Sequence, residues 1–248
     1  MKKIRKDYFI FVAVAALCLY LSNPLSAGSS SSSVPVLVYH RVGYSSDPLT
    51  VTPERLTHDL EELNQKGYET ISIKAFEDYM SGKEQQLPAK PILITFDDSY
   101  QDNYVYAFPF LRQYHDVATF FVITGVINGN PDRLTSPEIL EMSAGGMSFG
   151  SHTVSHTPLG QESEEWMRNE LSQSKQFMEA LLGAPTETIA YPEGSYSLDT
   201  IRIANELGYK IGFSVKTGVC NQLDSPFVIP RIAIFHFSGD IIDAINFA

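Results

Sequence analysis

Cysteine is nearly absent from this 248-residue chain: Cys18 and Cys220 are the only two. If an N-terminal export segment is removed, Cys220 stands alone, no intramolecular disulfide can form, and the residue is expected as a small buried side chain. Tryptophan is limited to Trp166, which lies in a helical pattern. Cations are scarce, with 18 Lys and Arg against 29 Asp and Glu and a formal charge of −11. That balance disfavours nucleic acid and anionic membrane surfaces as partners. No self-similarity appears at the periods typical of solenoids.

What is present begins with a basic cluster, Lys2, Lys3, Arg5 and Lys6, followed by an apolar run from Tyr8 to Leu21. The run is short for a membrane span, which needs about 20 residues, and Leu25-Ser26-Ala27 offers a small residue before Gly28. Residues 1–27 are therefore expected to be a signal peptide or, uncleaved, an N-terminal membrane anchor. Either places the protein outside the cell or on its surface, with membrane contact only through this segment. Removing residues 1–27 takes away those four cations and Asp7, leaving 14 basic against 28 acidic residues and a charge of −14. Residues 28–33 are serine and glycine, a flexible tether. Residues 34–248 fit one domain.

Within that domain, strand-like and helix-like segments alternate. Strands are expected at Val36–Tyr39, Thr70–Ile73, Ile92–Phe96, Ala118–Ile123, Met147–Gly150, Ile189–Tyr191, Ile211–Ser214 and Val228–Phe235. Helices are expected at Pro53–Lys66, Lys74–Ser81, Tyr104–Tyr114, Pro137–Ser143, Trp166–Leu182 and Thr200–Leu207. The βα rhythm points to an α/β fold with a largely parallel barrel, whose chemistry collects where strands end.

Two strand ends carry such chemistry. The apolar run Ile92 to Phe96 enters the adjacent carboxylates Asp97 and Asp98, which as strand neighbours point to opposite faces; alone, such a pair also reads as one capped and one exposed Asp. Past the Met147–Gly150 strand come His152 and His156, four apart, a spacing that on a helical turn puts both rings on one face within reach of one ion. One carboxylate from the other strand end would complete a His-His-Asp site with open positions, as a catalytic metal requires.

The motifs Thr95-Phe96-Asp97-Asp98 and His152-Thr153-Val154-Ser155-His156, with Pro35-Val-Leu-Val-Tyr-His40 and Gly67-Tyr68-Glu69-Thr70-Ile71, resemble the polysaccharide deacetylases of carbohydrate esterase family 4, the NodB-homology family. The resemblance covers the chain from Val34. It implies a distorted (β/α)7 barrel, with Asp97 as catalytic base and Asp98, His152 and His156 as ligands of a divalent metal, usually zinc. The family's Arg-x-Pro-Tyr motif falls on Ala190-Tyr191-Pro192-Glu193, so its Arg is missing. Tyr191, Pro192 and Glu193 would line the substrate site, with the Glu193 backbone N–H as oxyanion donor. Arg231 is a candidate replacement for the missing Arg, or a surface residue flanking a strand. His236 is a candidate general acid, or a structural His, and His40 a pocket residue that orients other groups.

These departures look more like the branch acting on poly-N-acetylglucosamine than like chitin or peptidoglycan enzymes. The implied substrate is a polysaccharide containing N-acetylglucosamine. An O-acetyl esterase on a glycan such as xylan, and a weakened glycan-binding member of the fold, remain alternatives. Gly146-Met-Ser148-Phe-Gly150 also matches the nucleophile elbow of serine esterases, with Asp199 and His236 in the right order, but it lacks the strand-turn-helix setting. Asp97 and Asp98 as a glycosidase pair would need to flank one bond from opposite sides, which sequence neighbours rarely do.

Overall fold

The computed structural model describes residues 33–83 and 87–248. The expected export segment, and the tether except Ser33, lie outside the described residues. Among the described residues no helix is long and apolar enough to cross a membrane.

The sheet is parallel throughout. It comprises β1 (Val36–Tyr39), β4 (Glu69–Thr70), β5 (Pro91–Phe96), β6 (Thr119–Val122), β7 (Ser148–Ser151), β8 (Thr188–Ala190), β9 (Ile211–Phe213) and β10 (Ile232–Ala233), in the order β10-β1-β5-β6-β7-β8-β9, with β4 also on β5. A short pair, β2 (Arg41–Val42) and β3 (Thr50–Val51), stands apart. The two edges meet across one segment: Ile229 bridges Phe213 of β9, while Ile232 pairs with Leu37 of β1. A curled parallel sheet of seven staves results, as the resemblance implied.

Helices cover the sheet: α1 (Pro53–Gln65), α2 (Ile73–Met80), α3 (Phe108–Tyr114), α4 (Ser136–Ala144), α5 (Glu164–Leu182), α6 (Leu198–Glu206) and α7 (Ile241–Asn246). Their starts follow ordinary capping: Thr52, Ser72, Ser163 and Ser197 each accept a backbone N–H three residues on. Ser72 starts α2 at Ile73, which ends the strand expected over Thr70–Ile73 at Thr70. The helix expected over Tyr104–Tyr114 opens instead as a π-helix, Asn103–Ala107, in which the Phe108 N–H reaches the Asn103 carbonyl. Pro109 follows at once; it has no N–H to continue a regular ladder, so the wide turn precedes it.

Alternation decides which strand residues reach the site. Leu37 and Tyr39, Ile92, Ile94 and Phe96, and Phe120 and Val122 pack outward beneath α1, α3, α4 and α7. Val36, Leu93, Phe121, Ala190, Ile211, Phe213 and Ile229 form the inner cluster, with Phe76 and Tyr79 of α2 packed against it. Ile189 and Tyr191 face outward onto α5 and α6. Because the period is two, the inner row Leu93, Thr95 continues to Asp97, the row Val36, Val38 to His40, and the row from Gly150 to His152. Gly150 is required here: a Cβ would stand 2.5 Å from the Phe121 ring and 2.7 Å from Thr188 Oγ1.

Candidate active site

Asp97 is buried, and Arg231 grips it with both arms: Nη1 to Oδ1 at 2.8 Å and Nη2 to Oδ2 at 2.7 Å. The guanidinium is itself fixed, since Nε donates to the Ser214 carbonyl at 2.9 Å and the group lies 5.9 Å from the Phe121 and Phe213 rings. These rings share the inner cluster with Ala190. The guanidinium from the closing segment thus lies against the inner cluster to which Ala190 belongs. Burial by itself raises the Asp97 pKa, but the charge of Arg231, then His152, the Arg231 hydrogen bonds and His40 outweigh it and hold the carboxyl below its ordinary value.

After Asp97 the chain turns sharply. Asp98 and Ser99 take φ of 74° and 59°, left-handed values that non-glycine residues seldom adopt. The turn is held from outside: Arg133 Nη1 donates to the Asp98 carbonyl at 2.6 Å, Leu134 N–H to the Ser99 carbonyl at 2.9 Å, and Ile123 N–H to Ser99 Oγ at 2.8 Å. The Arg133 guanidinium also lies 3.9 Å from the Tyr100 ring centre. Thus Asp98 leaves the strand alternation and swings its carboxylate toward the next loop.

There it meets two imidazoles. His152 Nε2 lies 3.3 Å and His156 Nε2 3.2 Å from Asp98 Oδ1, and the three ligand atoms fall within 4.8 Å of one another. Residues 152–156 are not helical; Thr153 and His156, both at φ 63°, fold the loop so that its rings meet at 4.8 Å. The helical turn expected from the four-residue spacing is thereby corrected. His152 Nδ1 is 2.8 Å from the Ala190 carbonyl, so Nε2 is left for a ligand.

The residues fit a divalent cation. Asp98 Oδ1 is buried without a hydrogen-bond partner while facing two ring nitrogens. Burial raises the Asp98 pKa, yet the facing imidazoles pull it far below the carboxylate range. For His152 burial lowers the pKa, and Asp98 and Asp97 more than restore it. Such a field attracts positive charge to the three ligand atoms.

The remaining expected site residues divide. His40 sits at the end of β1 among the charges of Asp97, Asp98, Arg231 and His152; burial lowers its pKa, against the pull of the two carboxylates. Its Nδ1 is buried without a hydrogen-bond partner. Glu193 occupies the turn after β8 at φ 55°, with its side chain exposed, and Pro192 before it is buried. Tyr191 does not line the site: alternation turns it outward, buried against α5 and α6 and 5.3 Å from the Tyr196 ring. His236 lies exposed in the turn after β10, its N–H bonded to the Pro48 carbonyl, and does not join the metal-ligand cluster. The esterase elbow is absent as well, since Ser148 and Gly150 lie within β7 and Asp199 is paired with Arg202.

Two contributions escaped the sequence reading. The sequence marks Ala190 only by the Arg it lacks, whereas its carbonyl orients His152. Strand alternation and the position opposite β7 were the available signal. Arg133 acts through a loop-to-loop contact that no local pattern announces.

The family model described as Polysaccharide deacetylase matches residues 84–212. The chain is 30% identical over 203 residues to YxkH of Bacillus subtilis (strain 168), covering 82% of this chain and 72% of that protein. It is 27% identical over 198 residues to the poly-beta-1,6-N-acetyl-D-glucosamine N-deacetylase of Staphylococcus aureus (strain N315), covering 75% and 68%. Among solved structures, the Streptococcus pyogenes deacetylase PplD in complex with acetate superposes with a TM-score of 0.82 at 31% identity, covering 87% of this chain and 99% of that one. IcaB from Ammonifex degensii superposes with 0.77 at 28% identity, covering 82% and 92%.

Proposed function

This chain belongs to the polysaccharide deacetylase family, and from that premise we propose that it is a metal-dependent hydrolase removing N-acetyl groups from a poly-N-acetylglucosamine chain outside the cell. The observation that carries the proposal is the buried Asp97–Arg231 pair set beside the Asp98, His152 and His156 ligand group. A fold retained only for glycan binding has no need of both.

Asp98, His152 and His156 would hold the ion, zinc being the natural candidate for two imidazoles and a carboxylate. When bound, it supplies Lewis acidity, lowering the pKa of water from 15.7 to about 7 and polarising the acetyl carbonyl. Asp97 takes the proton from the attacking water. Arg231 uses one lone pair on each of its oxygens, so another on each remains to accept that proton. Because Arg231 keeps Asp97 ionised, the base is ready at neutral pH. The Glu193 backbone N–H is the proposed donor to the oxyanion, at the turn whose preceding carbonyl fixes His152. The departing amine needs a proton, and the proton that Asp97 has taken from the water is the one available at the buried centre; His236 lies exposed in an outer turn, away from these groups.

The test is acetate release from β-1,6-linked N-acetylglucosamine oligomers, with acetylated xylan as comparison, and metal content measured on each protein. Asp97→Asn is expected to keep its metal and lose at least about a hundredfold in rate, the usual reach of a general base; His152→Ala is expected to lose both. Turnover by metal-free His152→Ala, or equal background from wild type and Asp97→Asn, overturns the proposal. Preference for xylan would move the activity to ester hydrolysis.

A further inference from the structure

The loop that carries both histidine ligands is held from two sides. On the β6 side its carbonyls are taken: Thr124 N–H donates to the Thr153 carbonyl at 3.0 Å, and Gly125 N–H to the Val154 carbonyl at 2.9 Å. A Cβ at Gly125 would stand 2.5 Å from that Val154 oxygen, so the approach itself depends on glycine. On the other side the loop donors converge on a single side chain from α5. Glu170 Oε2 accepts the Val154 and Ser155 N–H groups, each at 2.9 Å, and Oε1 accepts the Ser155 hydroxyl at 2.8 Å.

Glu170 is buried, 5% exposed, in the seventh position of a 19-residue helix. A carboxylate in such a place is costly unless its oxygens are satisfied, and here all three of these bonds come from residues between the two ligands. Bonds to an ionised acceptor are about twice as strong as neutral ones. The segment they grip is one that would not hold its shape unaided, since Thr153 and His156 both occupy the left-handed region.

We propose that Glu170 is a positioning residue for the metal centre: its carboxylate locks the 153–155 backbone so that His152 and His156 present their Nε2 atoms to one point. The proposal rests on the reading of Asp98, His152 and His156 as metal ligands. It predicts a specific graded series. Glu170→Ala removes every acceptor. Glu170→Asp keeps the charge but withdraws it by one methylene, out of reach of both N–H groups at once. Glu170→Gln keeps the length; its amide oxygen can accept both N–H groups, and its NH2 can donate to Ser155 Oγ.

The experiment is zinc titration of chelator-stripped full-length protein by calorimetry, with the visible spectrum of the cobalt-substituted protein and the melting temperature of the stripped form recorded for each variant. Loss of an orienting group behind a metal ligand typically costs 10–100-fold in affinity. Glu170→Ala and Glu170→Asp are expected to bind zinc at least tenfold more weakly and to shift the cobalt bands, while Glu170→Gln stays within about threefold of wild type. Zinc affinity within twofold of wild type in both Ala and Asp overturns the proposal, as does a Gln variant that loses as much as Ala. If Glu170→Ala fails to fold, Glu170→Asp decides by the same criterion. Absence of zinc binding by the wild type would instead remove the metal reading on which the proposal stands.

Discussion

At the scale of single residues, the carboxylate pair and the histidine pair were legible because each follows an apolar strand, and strand ends are where a parallel barrel keeps its chemistry. That Asp97 faces inward follows from counting in twos from Leu93. Arg231 was legible only as a cation near a strand, because nothing local tells whether its guanidinium turns in or out. The structure puts it on Asp97 with both arms, which gives a prediction with a sign. Asp97 is depressed below its ordinary pKa by Arg231 against burial, so its stabilising charge is present above the unfolded value of about 3.9 and is lost as the pH falls through the lower native one. In Arg231→Gln, burial is opposed by the imidazoles alone and the pKa rises. The acid limb of kcat/KM is expected to move to higher pH, and stability at neutral pH to fall by about 3–5 kcal/mol, the usual result of stripping one partner from a buried pair. Arg231→Lys keeps the charge without the fork and should lie between. A pH-rate profile and a denaturant melt check both.

At the scale of elements, the fully buried strands β1 and β5 were the clearest to read, since a strand covered on both faces is an unbroken apolar run. The last strand is shorter than its apolar pattern. Val228–Phe235 was expected to be continuous, but only Ile232–Ala233 is regular. Pro230 offers no N–H, and the segment changes partner from β9 to β1 across it, which apolar pattern does not reveal. The loop carrying His152 and His156 departs from a helical turn for a related reason: spacing of four is shared by helices and by loops with two left-handed residues. Gly150 offers an element-level test. Gly150→Ala must displace Phe121 or Thr188, and overpacking of this kind costs about 1–3 kcal/mol. Because Phe121 lies beside Arg231, turnover should fall along with the melting temperature. Gly43→Ala, which meets nothing within 4 Å, serves as the control and should leave both unchanged.

At the scale of the molecule, the alternation of strand and helix was enough for the fold class, whereas the manner of closure was not, since it depends on one irregular segment. Two further outcomes belong here. Metal that binds only the folded chain stabilises it by mass action, about 2.7 kcal/mol at a hundred times Kd; chelation should therefore lower the melting temperature, and His152→Ala should melt at the same temperature with or without chelator. Cys220 is buried in the inner cluster with its thiol pushed up to about 12, so a thiol reagent at neutral pH should leave it untouched until denaturant is added. In a Cys18→Ser protein, labelling of Cys220 in the native state at the rate of a free thiol would contradict that burial.

The seam between β9 and β1 has a consequence for how such sites are searched for and inherited. The guanidinium is required at one point in space, and any stave whose inner row ends near that point can deliver it. Here β8 ends in Ala190, and the guanidinium on Asp97 comes from the segment that closes the ring. A catalytic constellation in a barrel is thus specified by position around a circle, and a circle has no fixed starting residue. Motif order along the chain can drift while the constellation stays in place, and a chain that fails one linear signature retains the charge that the signature was meant to detect.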